Sequence, residues 1–253
     1  MTVEEIYRSL SRRIPEELRE PWDNDGLMCS DDTSKEVHRA IVTLDVTENI
    51  VDYAISSGID LIVSHHPLVF KPIFSVTEES NVARKVIKLI KNGIAVISLH
   101  TRADKVSGGV NDILADILGM KDSVPFGEGG LGRIGMLDEE TSIEEFSYNV
   151  KEALGADCVK VSDACIPVQK VAVVGGDGKD FVKDALALGA DTYVSGRISY
   201  NMMVEAAEMG INLIEAGHFF TEQPVTSFFQ SLLMRLDPDM YIEVVDSNLI
   251  KLI

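Results

Sequence analysis

The chain of 253 residues has a formal net charge of -18, with 45% hydrophobic and 25% charged residues. This composition is typical of a globular protein, and the length allows one large domain or two domains of about 100 to 150 residues. The acidity disfavours nucleic acid as a partner, because Lys and Arg supply affinity for phosphates, and no apolar run reaches the roughly 20 residues of a membrane span.

The cysteines and the N-terminal residues indicate a cellular compartment. The sequence opens on "MTVEEIYRSL", which lacks the basic and then apolar pattern of a secretory signal. Cys29, Cys158 and Cys165 form no CxxC pair, and their odd number fits a reducing compartment. We therefore expect a cytoplasmic protein without thiolate metal sites.

Capping signals and apolar runs predict the elements in chain order. Thr2 and Glu5 form a capping box that opens a helix, and residues 42–64 read as strand, helix and strand. Further on, "GRIGML" predicts a strand, and Ser142 opens a helix that ends at Gly155. Two more strands are predicted in "DCVKVSD" and "MYIEVVD".

An internal repeat organises the chain. Residues 42–64 align with residues 173–195 at a constant offset of 131, with seven identities. Residues 91–104 match residues 208–222 once one residue is inserted. Strand, helix and strand units of this kind build parallel sheets, so we predict an α/β fold with two similar lobes. The predicted lobes are residues 1–125 and residues 126–253, the second including a short βαβ connecting segment at 126–168.

Histidines and acids follow the predicted apolar strands. His65 and His66 end the run "LIVSHH", and each copy of the repeat ends in a His with an acid four residues later. Functional groups gather at the carboxyl ends of parallel strands, and adjacent residues of an extended chain point to opposite sides. A single His at a strand end is more often a satisfied polar residue, but the combined set suits two first-row divalent ions with open positions. Its members are His65, His66, Asp104, His218 and Glu222.

Five motifs occur in order along nearly the whole chain. They are "WDNDGL" (22–27), "SHHPLVF" (64–70), "HTRAD" (100–104), "GGVND" (108–112) and "AGHFFTE" (216–222). Together they resemble the Nif-three-like dinuclear metal-centre family, whose members are often called GTP cyclohydrolase I type 2 homologues. The resemblance implies a two-metal site in the cleft between two similar α/β lobes, and a ring-shaped homo-oligomer, commonly a hexamer.

The resemblance also assigns residues. It implies that His65, His66, Asp104, His218 and Glu222 bind two divalent ions per chain (Zn, Fe, Mn, Co or Ni). His100 lies close by as a ligand or as a group that orients one. Family members tend to have Asn at the position of Arg102, and an acid and a His near the positions of Arg197 and Asn201. These departures leave the five ligands intact and bear on substrate choice.

Hydrolysis is the reaction class that such a site favours, because two close divalent ions activate water near neutral pH. The resemblance suggests a nucleotide-like substrate, with Glu222 and His100 as the candidate catalytic residues. The alternative is a non-catalytic metal-binding module that serves regulation or protein interaction. A homo-oligomer is also predicted from the apolar segments "SFFQSLLMRL" and "NLIKLI", for which burial in the core is the other interpretation.

Three smaller features of the sequence also have predicted roles. The glycine-rich stretch "VVGGDGKDF" (173–181) is interpreted as a tight turn between a strand and a helix, with a wall of the metal cleft as the alternative. Thr101 and Thr221 neighbour candidate ligands and are expected to orient them. His38 has no acidic ligand pattern around it and is expected at the surface.

Overall fold

The computed structural model describes residues 1–251. The last two residues of "NLIKLI" lie outside them. The strands are β1 (Gly26–Cys29), β2 (Arg39–Thr43), β3 (Leu61–Ser64), β4 (Ala95–Ser98), β5 (Lys121–Phe126), β6 (Gly132–Thr141), β7 (Lys160–Ser162), β8 (Val168–Val174), β9 (Thr192–Ser195), β10 (Asn212–Glu215) and β11 (Tyr241–Val244). The helices are α1 (Val3–Arg13), α2 (Glu48–Ser56), α3 (Asn81–Lys91), α4 (Thr101–Lys105), α5 (Val110–Ile117), α6 (Ile143–Leu154), α7 (Val182–Ala187), α8 (Tyr200–Met209), α9 (His218–Glu222) and α10 (Val225–Leu236).

The first of two compact units comprises Met1–Val106 and Val225–Lys251. Its five-stranded sheet has the order β1-β4-β3-β2-β11. Strands β4, β3, β2 and β11 are parallel, and β1 pairs antiparallel with β4 at one edge. In register, Thr43 lies beside Ser64 and Ser64 beside Ser98. The carboxyl ends of β2, β3 and β4 therefore form one continuous edge of the sheet.

Helices of the first unit start and pack as their sequences predict. The Thr2 hydroxyl accepts a hydrogen bond from the Glu5 amide, and the Glu5 carboxylate accepts one from the Thr2 amide, which completes the capping box. Helix α10 lies against α1, β2 and β11 and buries Val225, Phe229 and Leu233. The apolar face of "SFFQSLLMRL" is therefore largely core.

The second unit comprises Ser107–Pro224, and its six-stranded sheet has the order β5-β6-β8-β9-β10-β7. Strands β8, β9 and β10 are parallel, whereas β5, β6 and β7 pair antiparallel. Val171 and Val173 pack with Phe146 in one core cluster, and Ala172 packs with Tyr193 in another. This alternation buries both faces of the sheet. The predicted α/β class is confirmed, with one mixed sheet in each unit.

The repeat has the same local structure in both units. The order β2, α2, β3 in the first unit matches β8, α7, β9 in the second, and each pair of strands is parallel. The aligned Ala54 and Ala185 are both fully buried. Ser64 and Ser195 each end a strand and donate a hydrogen bond to a turn carbonyl. Ser64 bonds to His66 in the turn that follows β3, whereas Ser195 bonds to Gly176 in the turn after the neighbouring strand β8. Both serines therefore stabilise turns at the carboxyl ends of the parallel strands.

The units divide the chain differently from the predicted lobes 1–125 and 126–253. Helix α5 and strand β5 belong to the second unit, because they pack against β6. Residues Val225–Lys251 belong to the first unit, because β11 pairs in parallel with β2. In segment 126–168, β6 and β7 flank α6, but β6 pairs with β8 and β7 pairs with β10.

No helix within residues 1–251 is both long enough and apolar enough to cross a membrane.

Candidate metal centre

The candidate ligands of the first unit stand at the carboxyl ends of β3 and β4. His65 and His66 follow Ser64, and their amides still donate to the carbonyls of Thr43 and Leu44 at 3.3 and 2.9 Å. His100 precedes α4 as its N-cap residue, and Asp104 lies within that helix. Because β3 and β4 are adjacent and in register, their ends bring side chains separated by more than thirty positions to one place.

Three imidazole rings meet at this place. The ring centroids are 5.0 Å apart for His65 and His66, 5.3 Å for His65 and His100, and 5.7 Å for His66 and His100. One ligand nitrogen from each ring lies within 4.8 Å of the other two. The Oδ1 atom of Asp104 is 3.6 Å from Nε2 of His65. Nitrogen and carboxylate donors at such spacing could hold a divalent metal ion.

All three rings are oriented through the same nitrogen. The Nδ1 atom of His65 bonds to the Leu99 carbonyl at 3.0 Å. Those of His66 and His100 bond to carboxylates, of Asp45 and Asp23 respectively, each at 2.8 Å. A carbonyl or carboxylate acceptor keeps the proton on Nδ1 and leaves the lone pair on Nε2, as metal-ligating histidines require. The donor set therefore fits a metal ion.

The Asp23 carboxylate is held as an anion by its hydrogen-bond partners although its side chain is fully buried. Burial opposes its ionisation, but hydrogen bonds from His100 and Thr101 outweigh burial and lower the pKa of Asp23 to about 2. Burial likewise lowers the pKa of His100, whereas the bond to Asp23 and the charge of Asp104 raise it, with a net upward shift. The Thr101 hydroxyl donates to Asp23 at 2.6 Å. Thr101 thus orients the partner of His100 rather than the imidazole itself.

We expect the Asp45→Ala variant to bind divalent metal about 10 to 100 times more weakly, because the carboxylate fixes the orientation and tautomer of His66. Isothermal calorimetry with Zn²⁺ on metal-free protein measures the change. Asp52→Ala is the matched control, since Asp52 is an exposed acid paired with Lys88 on the neighbouring helix. Equal affinities for the wild type and the Asp45→Ala variant would contradict the orienting role.

Arg102 lies beneath the histidine cluster rather than in it. Its side chain is fully buried, and Nε donates to Asp25 Oδ2 at 3.0 Å while Nη1 donates to the Ile14 carbonyl at 3.1 Å. The same Asp25 oxygen accepts the His100 amide at 3.0 Å. This position, one of the departures from the family pattern, therefore supports the backbone of His100 through Asp25.

In the second unit, His218 and Glu222 pair across one turn of α9. The distance from His218 Nε2 to Glu222 Oε2 is 2.9 Å, as the i,i+4 spacing allows. The buried Thr221 hydroxyl accepts the Gly176 amide at 3.1 Å and lies 3.0 Å from the His218 carbonyl. Thr221 therefore ties the helix to the glycine-rich turn, and its expected role in orienting a ligand stays a prediction.

The glycine-rich turn after β8 forms a wall against this pair. A Cβ atom on Gly176 would overlap the Glu222 carboxylate and lie 3.2 Å from His218 Nε2. Gly176 also has a φ of +66°, which favours glycine. The Gly175 amide donates to Asn111 Oδ1 at 2.7 Å, which fixes the turn. The stretch is thus a tight βα turn and also packs directly on Glu222.

The Gly176→Ala variant is expected to lose metal affinity and stability together, because the added methyl group must displace the Glu222 carboxylate. Gly155→Ala is the matched control: its φ is +62°, but no atom lies within 4 Å of the added Cβ. Backbone strain alone should cost the control about 1 to 2 kcal/mol and leave metal binding intact. Metal titration and thermal melts of both variants measure the difference; matching metal affinities would refute contact with Glu222 as the cause.

The sequence-predicted residues fall into two groups. The first unit brings together His65, His66, His100 and Asp104, and the second unit pairs His218 with Glu222. Arg197 and Asn201 are exposed, and Arg197 Nη1 is 3.9 Å from Asp177 Oδ2. His38 is 76% exposed beside Glu36, as expected for a surface residue.

Sequence reasoning missed two orienting acids, Asp23 and Asp45. Asp45 follows β2, so the rule that functional groups gather at strand ends could have identified it beside His65 and His66. Asp23 lies in an irregular segment before β1, within the motif "WDNDGL". Because it does not follow a strand, the strand-end rule does not identify it.

Comparison with known proteins identifies both the fold and the family of this chain. A Bacillus cereus protein related to NIF3 has the same fold, with a TM-score of 0.90, 24% identity and coverage of 100% of this chain and 99% of that chain. The model of the Duf34/NIF3 (NGG1p interacting factor 3) family matches residues 1–252. The chain therefore belongs to the Duf34/NIF3 family, and the resemblance seen in its motifs is confirmed.

Two relatives share much of the sequence, and both are named GTP cyclohydrolase 1 type 2 homolog. The relative from Clostridium perfringens is 36% identical over 248 residues, which are 95% of this chain and 94% of that protein. The relative from Clostridium acetobutylicum is 33% identical over 232 residues, 88% of this chain and 86% of that protein.

Proposed function

We propose that the protein is a metal-dependent hydrolase that binds two divalent ions per chain and acts on a nucleotide-like substrate. The observation that carries the proposal is the histidine cluster of the first unit, in which three Nδ1 atoms are engaged by acceptors and leave Nε2 with the lone pair. The proposed ligands are His65, His66, Asp104, His218 and Glu222.

The proposal draws ligands from both copies of the repeat because the second copy lacks a histidine pair. Gly196 and Arg197 stand in the repeat where His65 and His66 stand in the first copy. His218 and Glu222 alone offer too few donors for two ions. The first unit supplies His65, His66 and Asp104, which with His218 and Glu222 could hold two ions.

Bound divalent ions supply Lewis acidity and make a water nucleophile available near neutral pH, so hydrolysis is the favoured reaction class. The chain's own groups orient the donors: Asp45 holds the His66 ring and Asp23 holds the His100 ring. We assign catalytic roles to His100, which can accept a proton at Nε2, and to Glu222, whose carboxylate lies beside His218. The names of the two clostridial relatives support a nucleotide-like substrate.

The test begins with protein loaded separately with Zn, Mn, Fe, Co and Ni, followed by a screen of nucleotides for hydrolysis. We expect two equivalents of at least one metal per chain by elemental analysis, and turnover that the Glu222→Gln variant abolishes. Glu208→Gln, an exposed acid on α8, is the control and should keep full turnover. No more than one equivalent of every metal would refute the dinuclear site. Full metal loading without turnover would refute the hydrolase and favour a metal-binding regulatory or interaction module.

We also propose a cytoplasmic homo-oligomer, in the form of a hexamer. Leu249 and Ile250 near the C-terminus are 63% and 78% exposed, and burial of such side chains between copies would be favourable. Cys29, Cys158 and Cys165 are free thiols, as a reducing compartment favours. Light scattering at micromolar concentration should give six times the chain mass, and a monomer alone would refute self-association.

A further inference from the structure

We propose that Trp22 and Phe70 form a stacking site for a planar heteroaromatic ring, of the size of a purine base, next to the histidine cluster. The inference rests on the proposed function, because it defines which part of a nucleotide-like substrate the first unit recognises. It is carried by aromatic side chains that the metal chemistry does not use.

The two aromatic rings contact each other and also the same histidine. Their centroids are 6.2 Å apart at an interplanar angle of 78°. Trp22 lies 6.4 Å and Phe70 6.0 Å from the His100 ring, at 77° and 88°. Edge-to-face contacts in this distance range are favourable and hold rings at defined angles. His100 thus connects the aromatic pair to the proposed metal ligands.

Both rings nevertheless leave much of their surface in solvent. Trp22 is 63% exposed and Phe70 is 42% exposed. Single exposed apolar residues are common and need no explanation, but two exposed rings in contact beside a polar cluster form a small aromatic surface. Exposed aromatic faces favour flat π systems, since nucleobases stack on them regardless of base identity. A flat ring therefore fits this surface better than an aliphatic group.

The backbone on both sides of the aromatic pair is anchored, so the rings are already in place for a ligand. The Asn24 side-chain amide donates to the Val69 carbonyl at 2.5 Å, which ties the segment after Trp22 to the segment before Phe70. The Asp23 carboxylate accepts from the Thr101 amide and hydroxyl at 3.1 and 2.6 Å. Preorganisation of this kind lowers the entropic cost of binding.

The chain's only tryptophan makes the test direct, because its emission reports on Trp22 alone. Metal-free wild-type protein is titrated with adenosine, and ribose serves as the probe without a heteroaromatic ring. We expect saturable quenching with adenosine and none with ribose. Absence of saturable quenching, or an equal response to ribose, would overturn the stacking site.

Variants then assign the binding to the aromatic pair. By calorimetry, Phe70→Ala and Trp22→Leu should each weaken adenosine binding about 10 to 100 fold, the range that base stacking on an aromatic side chain provides. Tyr148→Ala is the matched control, because Tyr148 on α6 is 62% exposed, and it should bind adenosine normally. An equal loss in the control would overturn the assignment. Unchanged adenosine binding in both Trp22→Leu and Phe70→Ala would also overturn it. If these two variants then have a smaller oligomer mass than the wild type, the aromatic pair contacts a second copy of the chain instead of a ligand.

The two proposals fail in different ways. If adenosine binding is absent while the protein holds two ions and hydrolyses some substrate, the stacking site alone is refuted. If adenosine binds through Trp22 while no metal supports turnover, the hydrolase alone is refuted.

Discussion

Replacement of His218 by alanine is expected to remove metal to the same extent as replacement of His66, although the two residues are 152 positions apart. The reason is the ligand set that we propose, to which both copies of the repeat contribute. The second copy alone has too few donors for the site. A ligand that binds only the native state at 100 times its dissociation constant stabilises that state by about 2.7 kcal/mol. For a protein of this size, the loss corresponds to a decrease of about 5 to 10 °C in the metal-dependent melting temperature.

Elemental analysis and thermal melts with and without Zn²⁺ measure this effect. His38→Ala is the control, because the His38 side chain is exposed and pairs with the equally exposed Glu36 at 3.7 Å, so its replacement keeps the backbone hydrogen bonds. It should retain the metal content and the melting shift of the wild type. Retention of both ions by His218→Ala, with unchanged affinity and an unchanged shift, would show that the second copy does not contribute.

The Arg102→Met variant is expected to lose about 3 to 5 kcal/mol of unfolding free energy, because the buried Asp25 carboxylate loses its buried guanidinium partner and keeps only the more exposed Arg19, 3.7 Å away. Both side chains of this pair are fully buried, so water cannot replace the lost contact. The Asp25 carboxylate also accepts the His100 amide, and metal affinity should fall with stability. Urea unfolding, monitored by circular dichroism, measures the first effect, and calorimetry measures the second.

Two further variants separate charge from packing. Arg8→Met removes an exposed arginine that pairs with Glu4, and its stability should stay close to that of the wild type. Adding Asp25→Leu to Arg102→Met should restore part of the lost stability, since the buried carboxylate that lost the Arg102 guanidinium is then gone. The single variant Asp25→Leu completes the comparison. If the loss of unfolding free energy in the double variant equals the sum of the losses in Arg102→Met and Asp25→Leu, lost packing is responsible and the charge explanation is wrong.

Local signals predicted much of the fold. The capping residue Ser142 and the stop at Gly155 bound α6, because a side-chain cap and a left-handed glycine act within one turn of the chain. The repeat predicted the parallel pairs β2 with β3 and β8 with β9, because a strand, helix and strand unit places its two strands parallel in one sheet. Family membership was also predicted correctly, since the five motifs that carry it lie in order along the chain.

Pairings distant in sequence were beyond these signals. Strand β11 was predicted as a strand, but its partner β2 lies near the other end of the chain, and no local pattern indicates that pairing. The candidate ligands were chosen by residue type and position after strands, and their role in metal binding stays a prediction. The groups that orient them depend on three-dimensional proximity: Asp23 reaches His100 from 77 positions away, and Arg102 turns inward to Asp25.

The discontinuity of the first unit has a consequence for biosynthesis. Its sheet lacks β11 until the ribosome has made the whole second unit, because Tyr241 pairs with Arg39 about 200 residues earlier. At about 5 to 20 residues per second, β2 waits roughly 10 to 40 s with an open edge during synthesis. An open strand edge is a template for pairing with other chains. The nascent chain is therefore expected to depend on chaperones during this interval, whereas the continuous second unit can fold as soon as it emerges.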